Sequence, residues 1–434
     1  MRVRLHHLGG VLTGAGAARG PLRDWAELGL QRDVELIIET DDAAEEARRS
    51  GADSTDSVMP RQGRICWIGP ASSPERPASD ISVDLGGRLL GHGLVDAHTH
   101  AVFAGDRAGE LMRRLAGERY QDIAASGGGI LHTVRATREA SVEALTTDLL
   151  RRLDEMAAWG ARVVEIKTGY GLDLASELRS LDAIAAAAAA RPGLTLVATA
   201  MPAHAVPPEF QGDVDGYMEH VCAELLPALL AHPAAPRFVD VFVERGYFDV
   251  SHAGRLWQAA QVAATRAGRR VGLKAHVDEF ERVGGLPWAL EAGATSVEHL
   301  LASDATELQA LCHSGTVAVA LPLVSVFLQQ PFAAMRAIVD GGGLLAVATD
   351  CNPGSAMSTN LMLAAQLAVF GGRLTPAEAL RAVTRGGAQA LGCPEGIDGT
   401  LRVDGPACLC AFDVEHPDAL FYELGAPPRA QAVP

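Results

Sequence analysis

The chain has 434 residues, 48% of them hydrophobic and only 5% aromatic, which is enough apolar material for a large core. A formal net charge of -16 argues against nucleic acid or an anionic membrane as the main partner, since both reward a basic face. The opening Met1-Arg2-Val3-Arg4-Leu5-His6-His7 has no apolar run leading to a cleavage site, and the longest proline-free apolar run, 183–190, is too short to span a bilayer. A cytoplasmic protein is expected. Its seven cysteines are irregularly spaced, with Cys408 and Cys410 the one close pair, and read best as reduced thiols.

In chain order, β-rich runs at 34–39, 64–69 and 81–85, bounded by Gly, Pro and Asp, predict a small sheet. The charged stretch 41–62 between the first two reads as a surface insertion. From residue 94 the pattern changes. Apolar runs at 94–97, 162–166, 194–200, 238–243, 271–275, 295–297, 316–321 and 344–348 alternate with helical stretches at 142–157, 175–190, 212–230, 251–267, 286–292, 305–312 and 332–339. Eight such repeats predict a closed (β/α)₈ TIM-like barrel. The alternative, a doubly wound open sheet, lacks a Gly-x-Gly-x-x-Gly after the first strand. Helices are predicted at 359–370 and 376–391, and β-like text returns at 399–403 and 407–412. Both chain ends are therefore expected to build a small flanking β-sandwich domain from 1–90 and 393–434, around a barrel at 91–392.

Gly93-Leu94-Val95-Asp96-Ala97-His98-Thr99-His100 ends a buried strand in two histidines one residue apart. Side chains at i and i+2 of a strand share a face, so the two imidazoles converge, as a metal site requires. A His-x-His can equally be one core histidine and one solvated one. The other predicted strands decide between these readings: the third leads to His204, the fifth to His276, the sixth to His299 and the eighth to Asp350. Ligand types gathered at the carboxyl ends of barrel strands, where the active site of this architecture is built, point to a metal-dependent enzyme.

Several segments carry a family resemblance. They are His98-Thr99-His100-Ala101-Val102-Phe103-Ala104-Gly105-Asp106-Arg107, Ser126-Gly127-Gly128-Gly129-Ile130 and Glu165-Ile166-Lys167-Thr168-Gly169-Tyr170-Gly171-Leu172-Asp173. They continue in Ala203-His204-Ala205-Val206-Pro207-Pro208-Glu209, Lys274-Ala275-His276-Val277-Asp278-Glu279-Phe280, Glu298-His299-Leu300 and Thr349-Asp350-Cys351-Asn352-Pro353-Gly354-Ser355. On these the chain resembles the metal-dependent amidohydrolase superfamily and, within it, the imidazolonepropionase family of histidine degradation.

The resemblance implies that His98, His100, His276 and Asp350 hold one divalent ion, zinc or iron. Relatives with two metals use a lysine at the end of the fourth strand, and 238–246 contains none. Catalytic roles are implied for Asp350 as base, His299 as donor to the carbonyl oxygen and Glu279 at the ring nitrogens, although Glu279 can also be read as tuning His276. Arg107 is expected to fork the propionate carboxylate, a surface salt bridge being the alternative. Tyr170 and His204 are implied to touch substrate, with Asn352, Gly354 and Ser355 at the product end, while the glycines at 127–129 read as a tight turn or an anion cradle.

The implied reaction is hydrolytic opening of 4-imidazolone-5-propanoate to N-formimidoyl-L-glutamate, and the implied partner a small carboxylate-bearing heterocycle, in a homodimer. The rivals are a deaminase of a purine, pyrimidine or related ring, which has no need of Arg107 and Tyr170, and a non-catalytic barrel, which is expected to lose ligands. Two departures from the family pattern stand out. His92 occupies a position usually held by proline, and Leu323 one where glycine is expected near the end of the seventh strand.

Overall fold

The computed structural model describes residues 1–40, 63–118, 122, 128–426 and 428–432. The insertion expected at 41–62 lies outside the described residues. Seven short strands come first: β1 (Arg2–His6), β2 (Gly10–Leu12), β3 (Leu30–Gln31), β4 (Val34–Glu39), β5 (Arg64–Pro70), β6 (Ile81–Asp84) and β7 (Leu89–His92). The barrel strands are β8 (Leu94–Asp96), β9 (Ala161–Lys167), β10 (Thr195–Ala203), β11 (Phe238–Val243), β12 (Gly272–Val277), β13 (Ser296–His299), β14 (Val317–Ala320) and β15 (Leu344–Val347). Last come β16 (Leu409–Phe412) and β17 (Ala430–Ala432).

Strands β8 to β15 form one eight-stranded sheet in sequence order, every pairing parallel. Each predicted barrel strand is present. The ring is drawn together past the last strand, where the Asp350 amide donates to the His98 carbonyl at 3.0 Å and the His100 amide to the Cys351 carbonyl at 3.1 Å. The bonds that join the two ends of the sheet thus belong to the residues expected to bind metal.

Two smaller sheets pack face to face. One has the order β5-β4-β1-β6 and the other β17-β16-β7-β2-β3, with Val3, Leu5, Leu36, Ile38 and Ile65 meeting Val11, Leu90, Leu409 and Ala411 between them. The second sheet joins the chain ends, β16 running antiparallel to β7 with Leu409 opposite His92. The segment 399–403 is not a strand. Asp398 accepts from the amide and hydroxyl of Thr400 and pairs with Arg402, so a side-chain turn replaces ladder bonds there.

The helices start where the sequence offers an acceptor, as at Ser141, Asp173, Asp249, Asp304 and Thr375, each of which takes a first-turn amide. The helix predicted at 212–230 is interrupted by a π-turn at Val221–Leu225, just before Pro227, whose ring cannot sit under a regular i−4 carbonyl. A second π-turn, Ala382–Gly386, breaks 376–391, where Gly386 and Gly387 press on the barrel; an added Cβ would lie 2.0 Å from the Leu345 carbonyl oxygen and 2.6 Å from that of Val95. Sequence reading missed the helices Ala108–Leu115, Ile130–Glu139 and Pro322–Phe327. All seven cysteines are free, and among the described residues no helix is long and apolar enough to cross a membrane.

Candidate active site

The carboxyl ends of the barrel strands are bent out of regular extension. Asp278, His299, Leu300 and Asp350 all have positive φ, at 55°, 72°, 61° and 51°. Non-glycine residues pay for that conformation in strain, and such residues gather where a side chain must be aimed. Here it turns His299 and Asp350 over the barrel axis.

Four side chains from β8, β12 and the end of β15 converge there. The His98 Nε2 lies 3.4 Å from Asp350 Oδ1, the His100 Nε2 3.6 Å from the same oxygen, and the Nε2 atoms of His100 and His276 are 3.2 Å apart. His98, His100 and Asp350 can each point a ligand atom at one centre, as can His98, His276 and His299. All are buried, and among the described residues the His98 Nε2 and Asp350 Oδ1 have no hydrogen-bond partner. Buried polar atoms are costly unless something meets them. Imidazole nitrogens and a carboxylate oxygen directed at one point fit a divalent cation of the zinc or iron type.

A layer of charge lies beneath, whose carboxylates sequence reading did not single out. Glu298 Oε2 is 2.8 Å from His98 Nδ1, and Asp240 Oδ1 is 3.1 Å from His276 Nδ1. Each carboxylate accepts a hydrogen bond from Nδ1–H, leaving the Nε2 lone pair toward the centre. Lys167 binds Asp240 at 2.7 Å and Glu165 at 3.0 Å, while Lys274 binds Glu165 at 2.9 Å and lies 3.6 Å from Glu298. The signal was available: charged residues two apart in buried strands, as in Glu165 and Lys167, must pair inside a barrel. Both lysines therefore support the ligands from below. Burial, opposed by Asn352 and Lys167, pushes the Asp350 carboxyl up to about 8, and burial with neighbouring positive groups holds His98 and His100 well below the usual histidine range.

The cavity over this centre is lined by His100, Arg107, Tyr170, His204, Glu279, His299, Asp350, Asn352 and Ser355, together with apolar Ile130, Phe242 and Leu328. His204 stacks on His100 with ring centroids 4.7 Å apart, and its Nδ1 lies 3.1 Å from the Gly169 carbonyl oxygen. Burial pushes His204 down to about 3, so it is neutral and offers Nε2 as an acceptor. Tyr170 sits 5.2 Å from the His204 ring, on a loop tied by buried Glu177, which accepts from the amides of Gly169, Gly171 and Leu172. Glu279 Oε2 is 3.6 Å from His299 Nε2, and its carboxyl is raised well above the usual range by burial and by Asp350 and Glu244.

Arg107 is buried and forked on Glu110 at 3.0 and 2.7 Å, so it is neither a surface pair nor a loose arm. Glu110 also accepts from the Gly129 amide, which starts helix Ile130–Glu139; Gly127 lies outside the described residues. Asn352 spends its amide on its own loop, donating to the Asp350 carbonyl and accepting from Gly354 and Ser355. Gly354 does not line the cavity but sits behind it, where an added Cβ would meet the Arg107 guanidinium at 2.2 Å. Leu323 is buried in helix Pro322–Phe327 and is not part of the lining, and buried His92 contacts its neighbour's carbonyl. A larger cavity of about 590 Å³ opens at the amino ends of the strands, beside Arg237 and Arg269, far from any ligand group.

No family model matches the chain. Among solved structures, an atrazine chlorohydrolase mutant from Arthrobacter aurescens complexed with zinc aligns over 98% of this chain and 92% of its own, at 16% identity and a TM-score of 0.65. A zinc-bound adenosine deaminase from Xanthomonas campestris aligns over 98% and 89%, at 17% and 0.62. These likenesses show a shared barrel fold. Sequence similarity is much closer to other proteins. An imidazolonepropionase of Chloroflexus aggregans is 44% identical over 398 residues, 89% of this chain and 91% of that one. Those of a Methylobacterium species and of Symbiobacterium thermophilum are 42% and 43% identical, over 86% and 80% of this chain and 90% and 81% of theirs. At that identity, over most of its own length and of theirs, the chain belongs to the imidazolonepropionase family.

Proposed function

We propose that this chain hydrolyses the ring carbonyl–nitrogen bond of 4-imidazolone-5-propanoate in the cytoplasm, giving N-formimidoyl-L-glutamate. The observation that carries the reading is one cavity with His100, His276 and Asp350 in its lining, His98 buried against Asp350, and a buried arginine, Arg107, on its wall. His98, His100, His276 and Asp350 would hold a single zinc or iron ion, which when bound would lower the pKa of water from about 15.7 towards 7. Asp350 takes the proton released when the water oxygen bonds to the carbonyl carbon, and returns it as the carbon–nitrogen bond breaks. His299 donates to the carbonyl oxygen as negative charge builds there. Glu279, buried and 3.6 Å from His299, holds a proton for the ring nitrogens. Arg107 forks the propionate, and Tyr170 and neutral His204, which line the same cavity, contact the ring.

The balance is one water consumed, one carboxylate gained and both ring nitrogens kept. A paired assay tests this: loss of the ring chromophore, corrected for spontaneous decay, with free ammonia read in the same tube. Chelator-sensitive loss without ammonia supports the reading. Stoichiometric ammonia would replace it with a deaminase, and decay no faster than the blank would remove the substrate.

A further inference from the structure

Beside the catalytic cavity lies a second one of about 270 Å³, lined by Arg114, Arg245, Glu118 and Phe327, and separated from the first by three residues that line both, Tyr247, Phe280 and Leu328. Arg114 is fixed in this antechamber. Its guanidinium stacks 4.5 Å over the Phe327 ring, and its Nη1 donates to the Gly354 carbonyl at 2.6 Å. A Cβ added at the same glycine would lie against the Arg107 guanidinium. Two guanidinium groups thus flank a single glycine, one in the antechamber and one in the catalytic cavity.

The charge of the whole chain makes this arrangement consequential. At -16 the molecule repels an anion from a distance, so an anionic substrate needs a local cationic approach to reach the rim. Of the nearby acids, Glu118 pairs with Arg113, Glu281 with Arg245 and Glu110 with Arg107.

We propose that the antechamber is a docking subsite for the carboxylate of the incoming substrate, and that Arg114 passes it across Gly354 to Arg107. This rests on the anionic substrate named above. The test is kcat/KM for imidazolone propionate against sodium chloride, from about 20 to 500 mM. Salt on that scale shortens the screening length from roughly 20 Å to about 4 Å. The unaltered protein should lose kcat/KM as salt rises. Arg114→Gln should lower kcat/KM about tenfold at low salt and flatten the salt dependence, with the loss in KM and not in kcat, and Arg114→Lys should restore part of the slope. Arg245→Gln, an exposed change away from Gly354, should flatten the slope by a smaller amount. An unchanged slope in both Gln variants would overturn the subsite, as would an equal fall in kcat for Arg114→Gln, the mark of a loop displaced by a lost structural bond. If the unaltered protein opens no ring, the failure lies with the substrate assignment instead.

Discussion

At the scale of single residues, the site depends on which nitrogen of each histidine carries a proton. Glu298 and Asp240 settle this for His98 and His276 from behind. Glu298→Gln keeps the shape but no longer enforces the Nδ1–H form, and should weaken metal binding about 10- to 100-fold, read by competition with a chromogenic chelator. His276→Ala removes a ligand outright and should leave purified protein without stoichiometric metal by elemental analysis; full occupancy with normal turnover would overturn the ligand assignment. Asp350→Asn should cost roughly 10²- to 10⁴-fold in kcat, the range expected for a lost general base.

The elements around the site act by fixing loops. Gly354 leaves no space for a Cβ beside Arg107, so Gly354→Ala should displace the guanidinium and raise KM about tenfold, roughly 1.4 kcal/mol, in steady-state kinetics. Farther away, Glu378 staples the N-terminal segment to the barrel, accepting from the Leu22 and Thr375 amides and from Arg336. Burial alone would raise its pKa, but Arg336 and the two amides hold it below the usual glutamate range. A folded pKa below the unfolded one means that the contribution to stability is complete above about pH 4.5 and is lost as pH falls through the folded value. Urea midpoints should therefore drop between pH 6 and 3.5, and Glu378→Gln should flatten that drop by removing this carboxylate's part of it.

For the whole molecule, the barrel interior is polar where a core is ordinarily apolar. Lys167, Lys274, Glu165, Asp240 and Glu298 are fully buried and satisfied only by one another and by nearby polar groups. Lys167→Met leaves Glu165 and Asp240 without their shared cation and should cost about 3–5 kcal/mol in denaturant unfolding. The homodimer implied by family resemblance predicts a solution mass twice the 45.4 kDa of the chain, measured by sedimentation.

The sequence alone carries the eight strands, because apolar β-branched runs separated by helical stretches have one economical closure, and it carries the gathering of His98, His100, His204, His276, His299 and Asp350 on one rim of that closure, whereas the choice of four of them as metal ligands came from family resemblance. It placed Arg107, Tyr170 and His204 near the same point through family likeness to segments whose spacing the barrel then brings together. Tertiary structure alone decided the rest. The pairing of Glu298 with His98 spans 200 positions and that of Asp240 with His276 spans 36, distances over which no local pattern operates. The segment 399–403 has a strand's composition, yet Asp398 captures its backbone bonds, and Gly354, expected by resemblance at the product end, lies instead behind the cavity against the Arg107 guanidinium. Periodicity and local chemistry are written along the chain, whereas which buried charge meets which is set only when the strands close.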